Sequence, residues 1–174
     1  MSDSNSSPKK IAIMGSGAIG MEVLKNLHTQ YPKTEIVVWN RDSGSGRAAA
    51  VGADQAESII IKSKSNRSGE KIASIIFTKD MDRAMRGADI VVVTGGIPRE
   101  DNKQERFDLA EKNIPFIDPI AKKAGELAKE NPDHVTNWVI GTNPIGLVDN
   151  HFQEVSKIPH NKIFGFSGEL DVSR

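Results

Sequence analysis

The stretch IAIMGSGAIG sets three glycines, Gly15, Gly17 and Gly20, directly after a β-branched run and directly before an amphipathic one. In that setting each has a mechanical role: Gly15 permits a tight turn, Gly17 lets backbone approach a pyrophosphate, and Gly20 lets helix and strand pack closely. The helix that follows offers unpaired N–H groups, at Ala18, Ile19 and Gly20, and the positive end of its dipole to phosphate. The chemistry indicated is dinucleotide binding. About 20 residues further on, where such domains place the residue that reads the adenosine ribose, the chain carries Asn40 and then Arg41. A carboxylate there accepts from a free ribose 2′-OH and repels a 2′-phosphate. An amide beside a guanidinium removes the repulsion and supplies a bidentate phosphate partner. NADP(H) is therefore the favoured cofactor, with Ser43, Ser45 and Arg47 as further donors; NAD(H) is the alternative, with Asp42 taking the ribose. No metal site is expected.

These groups need a scaffold that brings strand ends to one edge. Short β-branched runs alternate with longer segments of helical period, the pattern of a parallel sheet with helices on both faces. The expected strands are Ile11–Met14, Ile36–Trp39, Ile72–Phe77, Asp89–Thr94, Trp138–Thr142 and Ile163–Phe166. The fold class is thus α/β, a doubly wound parallel sheet of the Rossmann dinucleotide-binding type, with cofactor across the reversal in strand order. In the first helix Ile19, Val23, Leu24 and Leu27 recur on one face, which should pack on the sheet. Pro115 and Pro119 interrupt the apolar region after Arg106 and predict two helical pieces there. Lys62, Lys64, Arg67 and Lys71 read as a solvated loop. Asn143 follows the fifth strand, at the carboxyl edge where open α/β sheets bind ligands; before Pro144 it also suits a turn.

Composition narrows the partners. The 174 residues suit one domain, and 23 basic against 23 acidic side chains give zero net charge, so neither nucleic acid nor an anionic membrane is an expected partner. There is no cysteine, compatible with a reducing cytoplasm. The opening MSDSNSSPKK has no apolar core of signal-peptide length, and no run reaches transmembrane length. The expected organisation is a polar tail over 1–9, a nucleotide-binding domain over 10–160, and over 161–174 the last strand and the beginning of a further domain.

Four later stretches, ADIVVVTGGIPRE, QERFDLAEKN, VIGTNPIGLV and KIFGFSGELDVSR, resemble in the same order the corresponding stretches of the lactate/malate dehydrogenase family. The resemblance runs from Lys10 onward and implies an NAD(P)-dependent 2-hydroxyacid dehydrogenase, malate/oxaloacetate first and lactate/pyruvate second, with this chain as its cofactor-binding half. Thr94, Gly95 and Gly96 then match the loop where backbone passes close to the cofactor. Asn143 matches a hydrogen-bond partner of substrate and nicotinamide. Arg106 matches the arginine that polarises the substrate carbonyl, a guanidinium stabilising developing alkoxide charge. Arg99 matches the residue that selects a second carboxylate, although Glu100 and Asp101 beside it depart from the pattern, as does the length from Pro98 to Arg106. Gly146 stands where related sequences often carry aspartate. Asp171 matches the carboxylate that orients the catalytic histidine, and Arg174 the guanidinium that grips the substrate carboxylate. That histidine lies further along in the family, so the chain is expected to be incomplete and inactive alone; His28, His134, His151 and His160 read as surface residues. The resemblance also suggests a dimer or tetramer. A β-hydroxyacid reductase, an NAD-dependent glycosidase and a stand-alone nucleotide-binding module are the rival readings.

Overall fold

The computed structural model describes residues 7–41, 47–66, 69, 71–97 and 105–166, with backbone alone for 47–53. Six strands, β1 (Lys10–Met14), β2 (Glu35–Trp39), β3 (Ile75–Thr78), β4 (Ile90–Val93), β5 (Asn137–Ile140) and β6 (Ile163–Gly165), form one sheet in the order β3-β2-β1-β4-β5-β6. All neighbours are parallel. The order reverses between β1 and β4, and the carboxyl ends of the strands share one edge. Between the strands run α1 (Ala18–Gln30), α2 (Arg47–Asn66), α3 (Met81–Met85), α4 (Arg106–Glu130) and α5 (Ile145–Ser156).

Side chains along a strand alternate between faces, and here both faces are buried. Ala12, Met14, Val37 and Trp39 join α3, α4 and α5 in one core, whereas Ile13, Ile36 and Val38 join α1 and α2 in another. The central strand, with helices on both sides, has Ile11 to Met14 wholly buried; a parallel strand so placed reads as a continuous apolar run.

The structure departs from expectation in four places. First, α4 is a single helix of 25 residues with Pro115 and Pro119 inside it. Both prolines are exposed, so the carbonyls they leave without an N–H partner face water. The opposite face buries Leu109, Phe116, Ile117 and Ile120, among others, and that burial outweighs the local break. Second, β3 begins three residues late, because the Ala73 N–H donates to the Pro32 carbonyl in the turn before β2 (2.7 Å). Third, Lys62 and Lys64 lie in α2 and not in a loop. Fourth, the first helix turns Gly20, Leu24 and His28 fully inward, with Val23 and Leu27 packed at the margin. Ile19 is 57% exposed and His28 is completely buried. Of the other histidines, His134 is half-buried with its ring Nε2 3.0 Å from the Ala88 carbonyl. His151 is half-buried 3.4 Å from Asp118, and only His160 is exposed. Among the described residues no helix is long and apolar enough to cross a membrane.

Candidate dinucleotide site

At the carboxyl end of β1 the chain turns through Gly15 at φ +121°, a conformation that L side chains rarely adopt. A Cβ there would stand 2.5 Å from the Gly95 backbone. At Gly20 a Cβ would run into the Gly15 carbonyl and come within 2.8 Å of Thr94 Oγ1, and that hydroxyl donates to the same carbonyl (3.0 Å). Thr94 thus bolts the turn after β1 to the end of β4. Gly17 differs from both. It caps α1 without a side-chain hydrogen bond, no acidic residue stands in the first turn, and a Cβ would meet no heavy atom within 4 Å. The N-terminus of α1 is therefore open at Gly17 and carries no acidic side chain in its first turn, which fits a pyrophosphate.

Beyond β2, a cleft is lined by Ser16, Asn40, Arg41, Phe77, Thr78 and Lys79. The Asn40 N–H donates to the Thr78 carbonyl (3.2 Å), holding the ends of β2 and β3 together. The exposed Arg41 lies with its Cζ 5.1 Å from the centre of the Phe116 ring, a cation–π contact. Trp39, behind it, is buried, donates from Nε1 to the Lys79 carbonyl (2.9 Å) and sits 5.8 Å from the same ring. Asp42, Ser43 and Ser45 lie outside the described residues, and Arg47 begins α2.

On the other side of the glycine turn, the segments after β4 and β5 are packed onto each other. A Cβ on Gly95 would overlap the Phe116 ring, and one on Gly96 would come within 2.8 Å of Thr142 Cγ2 and 3.0 Å of Asn113 Oδ1. Thr142 Oγ1 donates to the Gly95 carbonyl (2.7 Å). The exposed Asn143 follows, joined to Pro144 by a cis peptide bond; the nearby Gly146 has nothing within 4 Å of where a Cβ would stand.

Gly15, Gly17, Ala18, Ile19, Gly20, Asn40, Arg41, Thr94, Gly95, Gly96 and Asn143 therefore share the carboxyl edge of the sheet. Arg106 is the exposed first residue of α4. Arg99, Asp171 and Arg174 lie outside the described residues, as do Glu100 and Asp101. Asn113, Phe116 and Thr142 were not singled out from sequence. Asn113 carried one signal: it is a polar residue in a stripe, Leu109, Ala110, Phe116, Ile117, that otherwise repeats as an apolar helix face. The carboxyls pulled below their ordinary range lie away from this edge, where the Arg86 guanidinium holds Asp82 down and the Lys122 ammonium holds Asp118 down.

Residues 9–165 match the family model described as the NAD binding domain of lactate/malate dehydrogenase. The malate dehydrogenase of Haloferax volcanii is 40% identical over 88 residues, covering 51% of this chain and 27% of its own length. That of Symbiobacterium thermophilum is 30% identical over 166 residues, covering 95% of this chain and 48% of its own. Among solved structures, the lactate dehydrogenase of Cryptosporidium parvum, complexed with lactic acid and nicotinamide adenine dinucleotide, superposes with a TM-score of 0.73. It is 26% identical, with 96% of this chain and 47% of that chain covered. The malate dehydrogenase of Plasmodium falciparum gives 0.70, also at 26% identity, with 95% and 47% covered. The chain spans at most about half the length of these relatives.

Proposed function

We propose that this chain, which belongs to the lactate/malate dehydrogenase family through its NAD-binding domain, is the cofactor half of an oxidoreductase. The enzyme interconverts a small 2-hydroxy acid and its 2-oxo acid, malate/oxaloacetate first and lactate/pyruvate second. The observation that carries the reading is the open α1 N-terminus at Gly17, flanked at the same sheet edge by the Asn40–Arg41 cleft and the Thr94–Gly96 and Asn143 segments. A nicotinamide cofactor, when bound, supplies the hydride acceptor or donor. The protein's part is to hold it: the α1 N–H groups take the pyrophosphate, Asn40 and Arg41 the adenosine side, and Asn143 the opposite side. Arg106, in this reading, stabilises alkoxide charge on the substrate, Arg99 and Arg174 take its carboxylates, and Asp171 orients a histidine.

That histidine is not among the four in this chain. His28, His134 and His160 lie toward the opposite edge of the sheet, and His151 is on α5 beside Asp118. No imidazole stands where the ligand would, so the 174-residue polypeptide is expected to bind cofactor and not to turn over. In the complete enzyme, assembly as a dimer or tetramer and a cytoplasmic location go with this reading.

For the cofactor we favour NADP(H) over NAD(H), because the ribose-reading position carries no carboxylate and Arg41 is at hand. Calorimetric titration with NADPH and NADH tests this. Tighter binding of NADPH is expected, and Arg41→Ala should remove much of the difference, since a charge-assisted contact of about 1.5–3 kcal/mol amounts to about tenfold or more in affinity. Equal affinities before substitution would exclude a phosphate-reading Arg41. Adding malate or lactate to the same mixtures and following nicotinamide absorbance tests the rest; steady turnover by this polypeptide would contradict the need for a further histidine.

A further inference from the structure

Asn113 is 1% exposed, in the buried face of α4, yet it is hydrogen-bonded to two loop residues, Ile97 and Asn143, that are themselves exposed. Its Oδ1 accepts from the Ile97 N–H at 2.6 Å, and its Nδ2 donates to the Asn143 carbonyl at 2.7 Å and to the Ile97 carbonyl at 3.3 Å. The partners are all backbone groups, so their polarity is fixed: one must be met by an acceptor and the other two by a donor. Among side chains of this size only a carboxamide offers both from one planar group. A carboxylate lacks the donor, and leucine lacks both. Buried, such a group is costly to leave unmet, so the two loops and the helix hold one another in a single arrangement.

What is held matters for the ligand. In a sheet of this order the pyrophosphate lies at the turn after β1 and the adenosine over the end of β2, which leaves the nicotinamide side to the segments after β4 and β5. Those are the segments Asn113 joins, with Gly96 packed against its carboxamide. We infer that Asn113 is a positioning residue for the nicotinamide end of the site: it fixes the Asn143 and Ile97 backbones so that the exposed side chains above them meet the ligand in one geometry. The inference rests on the cofactor reading given above. It concerns one end of the dinucleotide only, because the hydrogen bonds of Asn113 go to Ile97 and Asn143 and none to the α1 N-terminus or Asn40.

The test separates the two ends. The unsubstituted chain, Asn113→Asp and Asn113→Leu are titrated with NADH, which carries the nicotinamide, and with ADP-ribose, which lacks it. Binding is read calorimetrically and, for NADH, by the change in nicotinamide fluorescence; circular dichroism reports folding. The aspartate variant keeps the size and the acceptor toward Ile97 and loses the donor toward Asn143, so it serves if the leucine variant does not fold. Expected is a loss of about fivefold to tenfold in NADH affinity, a diminished fluorescence change, and ADP-ribose affinity within about twofold. Equal losses for both ligands, or unchanged NADH binding in a folded aspartate variant, would overturn the positioning role and leave the cofactor reading standing. If the unsubstituted chain binds neither ligand, the same comparison is made with NADPH and 2′-phospho-ADP-ribose; if it binds none of the four, the cofactor reading fails and this inference fails with it.

Discussion

An alanine at Gly20 would press its Cβ into the Gly15 carbonyl, whereas an alanine at Gly17 would meet nothing within 4 Å. The same substitution three residues apart should therefore separate folding from binding. Gly20→Ala forces backbone apart at a packed turn and is expected to cost about 1–3 kcal/mol, visible as a lower thermal midpoint. Gly17→Ala should stay within about 0.5 kcal/mol of the unsubstituted chain and still weaken NADPH and NADH binding, because the methyl would stand in the space at the α1 N-terminus that the proposed reading gives to the pyrophosphate. Equal loss of stability at both positions would contradict the structure. The glycine spacing was legible because each glycine answers a local steric demand that sequence order displays. Asn113 was not, since its partners Ile97 and Asn143 are distant in sequence and a lone asparagine announces no partner. Ile19 shows the reverse error: helical spacing assigned it to the core, but at the first turn the same face has already left the sheet and reached the ligand edge.

The element least legible was α4. Proline at an interior helix position removes one hydrogen bond and crowds the preceding turn, at about 3 kcal/mol, which made two helices the local expectation. What sequence does not display is that Pro115 and Pro119, four residues apart, fall on one solvent-facing stripe while the buried stripe continues unbroken. Pro115→Ala is accordingly expected to stabilise the fold. The gain is about 1–3 kcal/mol once the added freedom of the unfolded chain is set against it, read as a higher urea midpoint at unchanged slope. The charged link between α3 and α4 gives a second test at this scale. Arg86 spans Asp82 (2.7 Å) and Glu130 (2.8 Å), and it holds the Asp82 carboxyl below its ordinary range. A carboxyl whose pKa is lower folded than unfolded stabilises above the unfolded value of about 3.9 and loses that contribution as pH falls through the folded value. Asp82→Asn should therefore lower the urea midpoint slightly at pH 7 and leave it unchanged at the lowest pH, where both forms are uncharged. Salt should shrink the difference, because the pair is exposed.

At the scale of the molecule the sheet was the most legible feature. All six strands fall where β-branched runs predicted them, within one to three residues, because an interior parallel strand must be apolar on both faces and says so in sequence. Ile11 to Met14 and Ile36 to Trp39 are the most enclosed runs, because β1 and β2 each have a strand on both edges and packed side chains on both faces.

That order also sets a schedule. β1 is hydrogen-bonded on one edge to β2 and on the other to β4, with Ile11 opposite Ile90. On a ribosome adding about 5–20 residues per second, the second partner follows the first strand by about 4–16 s. During that interval the nascent chain carries a wholly apolar strand with one edge unpaired, the condition under which parallel sheets are slow to form and prone to wrong associations. Nascent chains stalled before β4 has cleared the exit tunnel should be digested readily by added protease, and chains stalled after α4 has emerged should resist. The glycine turn follows the same timetable, since Thr94 and Gly95, the groups that lock it, arrive with β4. Until then this polypeptide has the phosphate-binding fingerprint written in its chain and no rigid loop to bind with.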